Sequence, residues 1–327
     1  MAPVQRPVLA LQVARLFFDR RMTRIEIAAQ LGISRFRVAR LLDGALADGL
    51  VRVEYRDLPI EDRDVARRLE DRFGLGLCAV AADGPSPTAG AVAELAGSLL
   101  DGLIGQDETV GIAWGSTLAA VVAAVPPRHD PSIRVVQLAG SSSRLVGGRD
   151  AGELTRALAA RLGAAHHAIY APAVVDSAIV REALVRAPEV ADAVGRFDDI
   201  SLAVVGIGVI PADGVTPASS LIRSGALDAA DIRRMVDLGA VGELVVHPFD
   251  LDGRFVDAAL AARAIAIDID RLRAIGRVVA VAWGVDKATA IRGALRSGVV
   301  DMLVTDARTA AAVLEVDDQL RSATLDG

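Results

Sequence analysis

The chain has 327 residues, longer than a typical single domain, so two domains are the starting expectation. Hydrophobic residues make up 52% of it and aromatic ones only 3%, so its core must be built from Ala, Val, Leu and Ile, which suits helices packed on buried parallel strands. The net charge of −6 argues against a protein that coats nucleic acid without specificity, the single cysteine excludes an intramolecular disulfide or a multi-cysteine zinc site, and no apolar run reaches the roughly 18 residues that span a bilayer.

The start, Met1 to Pro7, lacks the charged-then-apolar layout of a signal peptide, so a soluble, cytoplasmic chain is expected, with no metal and no cofactor. Charge is unevenly spread. Residues 1–60 hold ten arginines against six acids, a surplus of +4 that leaves −10 for the remainder. A small basic module joined to an acidic body is the reading.

The periodicity predicts a first helix over Val8 to Arg20. Thr23 then stands as an N-cap with Glu26 three residues on, a capping-box arrangement opening a helix through Ile25, Ile27, Ala28 and Leu31. Gly32 suits the positive φ of a tight turn, and Ser34 caps a further helix from Arg35 to about Leu46, with Val38, Leu41 and Leu42 as its apolar face. Ala28, Gly32 and Val38 form the pattern of a helix-turn-helix: a small residue for close approach, a glycine for the turn, a β-branched residue packed back. The start of the second helix turns Arg35, Phe36, Arg37 and Arg40 outward, where arginine can bond guanine edges or clamp phosphates. With Arg24 and Ser34 these are the candidate DNA-contacting residues. Val51 to Tyr55 alternates as a short strand or wing would.

Glu61 to Phe73 is a charged amphipathic segment that reads as a connecting helix. Beyond it, strand-like runs occur at Leu77–Ala82, Thr109–Trp114, Ile133–Ala139, His167–Ala171, Ile200–Gly206, Glu243–His247, Val278–Trp283 and Asp301–Thr305. Helical patterns intervene, notably at Ala91–Leu103, Ala151–Leu162, Ala229–Leu238 and Lys287–Ser297. Such alternation predicts an open, mostly parallel sheet with helices on both faces, and ligands of such sheets sit beyond the carboxyl ends of the strands. Three loops there are candidates: Gly115-Ser116-Thr117 before a helix, an anion pocket of N–H groups and hydroxyls; Gly140-Ser141-Ser142-Ser143; and Gly206-Ile207-Gly208, where backbone can approach a ligand closely. A dinucleotide site is a poor explanation, because GIGVIP (206–211) lacks the third glycine and runs into Pro211.

Lys287 is the only lysine in a chain that otherwise uses arginine. Its place at a helix start, after Trp283-Gly284-Val285-Asp286, suggests a compact ammonium acting as a point charge for a phosphate or hydroxyl. Trp114 and Trp283 each close a strand just before a glycine, which predicts both indoles near the same pocket.

With these blocks in order, the chain resembles the SorC family of sugar-responsive bacterial regulators, whose effector domain is similar to the sugar-phosphate isomerase and glucosamine-phosphate deaminase fold. The likeness rests on IAAQLGISRFRVARLL (27–42), VGIAWGSTLAAV (110–121), VVQLAG (135–140), GIG (206–208), GAVGELVVHPFDLDG (239–253) and VAWGVDKATAIRGALRSGVVDMLVTDARTA (281–310). The resemblance implies an α/β chain with a helix-turn-helix domain at 1–57, a connecting segment at 58–75 and an effector domain at 76–327. It implies that Gly115, Ser116 and Thr117 hold an effector's phosphate or hydroxyls, with Lys287 facing them and Gln137, Gly140 and Asp250 lining the same pocket. Its implied partners are operator DNA, a small sugar, polyol or sugar phosphate, and further copies of the chain in a dimer or tetramer. Trp114 and Trp283 stand where relatives often have smaller residues, and Glu243 replaces the aspartate common after GAVG. The competing expectation is a sugar-phosphate isomerase or deaminase with an accessory DNA module, for which His247 and Asp250 are the candidate acid–base groups; His166 and His167 read as packing residues.

Overall fold

The structure is a computed structural model that describes residues 5–20, 22–51, 61–82, 88–142, 150–212 and 219–325. The chain divides into two compact units, Met1–Asp57 and Leu58–Gly327.

In the smaller unit three helices, α1 (Gln5–Phe18), α2 (Arg24–Leu31) and α3 (Arg35–Ala47), enclose a core of Val13, Ala14, Leu16, Ile27, Val38, Leu41, Leu42 and Ala45. The first helix begins one turn earlier than its periodicity predicts, because Pro7 falls in the first turn, where no intrahelical N–H is needed. The capping box forms: Thr23 Oγ1 accepts from the Glu26 N–H at 3.3 Å, and Glu26 Oε2 accepts from the Thr23 N–H at 2.7 Å. Gly32 takes φ 63°, and Ser34 Oγ accepts from the Arg37 N–H at 3.2 Å to start α3. Of the apolar residues of α2, Ile27 is buried and Ile25 is exposed. The expected wing falls at residues 52–55, outside the described residues.

The larger unit opens with α4 (Arg63–Phe73), which buries Ala66 and Leu69 in that unit's own core. There follow β1 (Leu77–Ala81), α5 (Thr88–Leu103), β2 (Thr109–Ile112), α6 (Ser116–Ala124), β3 (Arg134–Gln137), α7 (Ala151–Leu162) and β4 (Ala165–His167). The middle holds α8 (Ala178–Val185), α9 (Pro188–Gly195), β5 (Leu202–Val209), α10 (Ser220–Arg223), α11 (Ala229–Asp237), β6 (Ala240–Leu244) and β7 (His247–Asp250). It ends in α12 (Ala258–Ala261), α13 (Ile269–Ala274), β8 (Val278–Val281), α14 (Ala288–Arg296), β9 (Met302–Asp306) and α15 (Ala307–Leu325).

Among the described residues seven strands form a parallel sheet in the order β1-β9-β8-β5-β2-β3-β4, and β6 and β7 extend it from β5 as antiparallel partners. Strands β2 and β8, on either side of β5, are buried from end to end, as in Val278–Val281, and among the described residues Phe249 is the one aromatic of the largest fully buried side chains. The aliphatic core expected from composition is therefore the one that forms.

Three differences from the expected strands have physical reasons. The run Glu243–His247 is two strands of a hairpin, because Val245 takes φ 63° and reverses the chain inside an apolar stretch. The strand expected at His167–Ala171 lies earlier, at Ala165–His167; His166 is exposed and His167 is only half-buried, with Nδ1 3.2 Å from Asp192, so neither is a core packing residue. Gly206 to Gly208 is not a loop after β5 but part of that strand, with Gly206 paired with β8 and Ile207 and Gly208 paired with β6.

Helix α15 is tied down by a buried charge. Asp317 is fully buried and accepts from Arg72 Nη1 at 3.0 Å, Arg292 Nε at 3.1 Å and Arg296 Nη2 at 2.7 Å, joining α4, α14 and α15. Burial pushes its pKa up, but these guanidiniums outweigh burial and hold the carboxylate below its usual range.

Candidate functional site

Strands β2, β5 and β8 lie side by side and parallel, so the segments leaving their carboxyl ends meet above one edge of the sheet. A pocket forms there, lined among others by Gly115, Ser116, Thr117, Gly206, Gly208 and Lys287. Gly115, at φ 117°, makes the tight exit from β2 that L side chains rarely allow, and starts α6 without a side-chain cap. The first N–H groups of α6 are thus left without intrahelical partners at the pocket wall.

Lys287 reaches the pocket from the turn after β8, and its Nζ donates to the Ile207 carbonyl at 3.3 Å. Burial lowers its pKa, opposed by the charges of Asp286 and Glu243, with Arg223 adding to the lowering. Glu243, on β6, is buried opposite it. Burial pushes that carboxyl up to about 8, against the pull of Lys287. Its carboxyl has no hydrogen-bond partner among the described residues. Gly208 is the reason it fits: a Cβ at that position would lie 2.2 Å from Glu243 Oε1.

Four polar lining residues escaped the sequence reading: Ser219, Ser220, Arg223 and Glu243. Ser219 Oγ caps α10 by accepting from the Ile222 N–H at 3.1 Å, and Ser220 Oγ lies 3.3 Å from Arg223 Nη2. The available signal was the pair of serines with an arginine three residues on, a second hydroxyl-bearing helix start like Gly115-Ser116-Thr117. Trp114 lines the pocket and is buried, and its indole Nε1 has no hydrogen-bond partner among the described residues. Trp283, expected beside it, packs half-buried against the core and is not in the lining.

Gln137, Gly140, Ser141 and Asp250 are not brought into this pocket. Gln137 is fully buried and spends its amide internally: Nε2 donates to the Ala139 carbonyl at 2.6 Å and Ser141 Oγ at 3.2 Å, and Oε1 accepts from the Ile169 N–H at 3.0 Å. Gly140 lets the chain pass Pro172, whose carbonyl oxygen would lie 2.4 Å from a Cβ, and Ser141 borders a separate depression with Tyr170. Asp250 closes the turn after β7, with Oδ1 accepting from the N–H groups of Asp252 at 2.9 Å and Arg254 at 2.8 Å. His247, the other acid–base candidate, is buried with Nε2 2.9 Å from the Ile267 carbonyl; burial lowers its pKa, and it too lies outside the lining. Among the described residues no cluster of three or more His, Cys, Asp or Glu could hold a metal ion. No helix is long and apolar enough to cross a membrane, again among the described residues.

In the smaller unit Arg24, Ser34, Arg35, Phe36 and Arg40 are exposed, whereas Arg37 is half-buried. The Arg35 guanidinium lies over the Phe36 ring, 5.0 Å from its centroid.

Comparison with known proteins supplies the remaining observation. Residues 58–315 match the Sugar-bind family model, described as "Putative sugar-binding domain". The chain is 31% identical to the erythritol catabolism regulatory protein EryD of Brucella abortus over 310 residues, covering 94% of this chain and 96% of that one. It is 28% identical to the sorbitol operon regulator of Klebsiella pneumoniae over 317 residues, covering 94% and 98%. The crystal structure of the full-length sorbitol operon regulator SorC from Klebsiella pneumoniae superposes with a TM-score of 0.71 at 24% identity, over 94% of this chain and 99% of that one, a likeness of fold.

Proposed function

The chain belongs to the SorC family of transcriptional regulators that carry this sugar-binding domain, and we propose that it is a DNA-binding regulator whose operator affinity is set by a small polyol, sugar or sugar phosphate. One observation carries the effector half of this reading: the chain's only lysine and the open N-terminus of α6, with its two hydroxyls, line a single pocket at the carboxyl ends of adjacent parallel strands. Free N–H groups, Ser116 and Thr117 hydroxyls, the Lys287 ammonium and the Arg223 guanidinium are donors suited to ligand oxygens, anionic ones above all. Glu243, held largely neutral by burial, can offer a carboxyl proton to a hydroxyl or accept one from it. Relatives named for erythritol catabolism and for a sorbitol operon support a polyhydroxylated ligand.

The DNA half rests on the capped helix pair of the smaller unit and on the arginines at the start of α3. A two-fold operator calls for at least a dimer of the chain, and such a regulator works in the cytoplasm, beside the bacterial chromosome. The relatives are named as regulators, not as isomerases or deaminases, and the two groups that acid–base chemistry would have used are engaged outside the pocket.

The test uses the full chain. Erythritol, sorbitol, free pentoses and hexoses, and their phosphates are screened for a rise in melting temperature, and each hit is then added to an operator-binding assay. A hit is expected to shift operator affinity in the wild type, and Lys287→Ala to abolish that shift while basal DNA binding stays. A ligand response unchanged in Lys287→Ala, or turnover of a sugar phosphate at enzymatic rates, overturns the reading.

A further inference from the structure

Helix α3 presents its outer face in a fixed order. At 100° per residue, Val38, Leu41, Leu42 and Ala45 form the buried stripe, and Phe36 stands diametrically opposite it, one helical turn ahead of Arg40. Phe36 is 67% exposed. A single exposed aromatic is unremarkable by itself. Here three observations coincide on it: it is the second residue of the helix that Ser34 caps, the Arg35 guanidinium is stacked on its ring, and the exposed Arg40 follows on the same face. The unit that carries it has ten arginines against six acids, a charge complementary to a phosphate backbone.

The first turn of such a helix is the part that reaches base edges in the major groove. In that groove the one apolar group a base pair displays is the thymine 5-methyl, and an aromatic ring is a fitting apolar partner for it. We infer that Phe36 reads a thymine methyl group in the operator, flanked by Arg35 and Arg40 on neighbouring base edges or phosphates. The stacked ring also restricts the Arg35 guanidinium before DNA arrives, so less side-chain freedom is lost on binding. This inference rests on the DNA-binding reading given above and adds to it the chemical group that one side chain recognises.

The experiment selects duplexes from a random-sequence library with the full-length protein. Each thymine of the recovered site is then replaced singly by deoxyuridine, which removes only the methyl group, and affinity is measured by fluorescence anisotropy. At one thymine or more the replacement is expected to weaken wild-type binding about fourfold, the size that burial of one methyl group predicts. The same replacement is expected to leave Phe36→Ala binding unchanged, while Phe36→Leu, still apolar, keeps the methyl sensitivity. Lower salt restores measurable affinity if the alanine variant binds weakly. Sequence-specific binding with no methyl-sensitive thymine overturns the inference, as does a sensitivity that survives undiminished in Phe36→Ala. Failure to recover any specific duplex is a different result: it overturns the DNA-binding reading, and the inference falls with it.

Discussion

Glu243 and Trp114 place two polar groups at one pocket, and among the described residues the Trp114 indole Nε1 has no hydrogen-bond partner. The Glu243 carboxyl, with its pKa pushed up to about 8 by burial, binds a proton in the folded chain that it loses near pH 4.5 when unfolded. A raised folded pKa means its contribution to stability is complete below about pH 4.5 and is lost as pH climbs through about 8. Wild-type stability should therefore decline across that interval by an amount on the order of a few kcal/mol that Glu243→Gln lacks. Thermal melts of both proteins at pH 5 and pH 8.5 measure it, and parallel pH profiles would refute the assignment. Trp114 gives a second case. An unpaired buried N–H costs roughly 1–3 kcal/mol. Trp114→Phe removes the donor but also the pyrrole half of a buried indole, so the gain from losing the orphan N–H is offset by the cavity left, and the unliganded protein should be about as stable as the wild type or a few kcal/mol less so. The effector, if its oxygen meets that indole, should bind about tenfold more weakly. Melts and titrations on the same variant separate the two effects. Neither residue could be weighed from sequence: a tryptophan before a glycine suggested a pocket neighbour twice, and only Trp114 is one, because whether an indole faces a pocket or the core depends on rotamer and packing.

Among the elements, what local chemistry determines was legible. The capping box at Thr23, the turn at Gly32 and helix α7, at Ala151–Leu162, lie where their residues place them, because each is set within four residues of chain. The β6–β7 hairpin was not legible, since an apolar run masks the positive φ at Val245, nor was the continuation of β5 through two glycines, which ordinarily signal a loop. Gly208 shows why the strand goes on: the absent side chain is the space that Glu243 fills from the facing strand. Gly208→Ala should therefore push Glu243 and Ser219 apart, costing about 1–3 kcal/mol as overpacking does, with loss of effector response. Shortening the opposing side chain in Gly208→Ala/Glu243→Asp should recover part of that loss, and a double-mutant cycle by denaturant unfolding measures how much. Strict additivity of the two substitutions would mean that the residues do not oppose each other across the pair.

For the molecule as a whole, the division of charge assigns the two binding events to different chemistry. A surplus of +4 lies in residues 1–57 and −10 in the rest, so the net electrostatic attraction to DNA comes from the first unit. Operator affinity should then fall steeply with salt, while ligand uptake, which neutralises few charges, should change much less. Substitution can separate the two functions in the same way. Arg37 is half-buried and engaged with neighbours, so its removal would mix folding with binding, whereas Arg40 is exposed and tests DNA contact cleanly. Arg40→Ala should lower operator affinity and reduce the salt slope by about one, with the effector's dissociation constant unmoved in the absence of DNA. If the effector alters operator affinity by some factor, the operator must alter effector affinity by that same factor, because the two are linked through one set of states. Titrating effector into free and operator-bound protein measures that factor from one side, and DNA titrations with and without effector measure it from the other. Arg40→Ala should leave the factor intact, since it weakens DNA binding to both states alike, and Lys287→Ala should bring it to one.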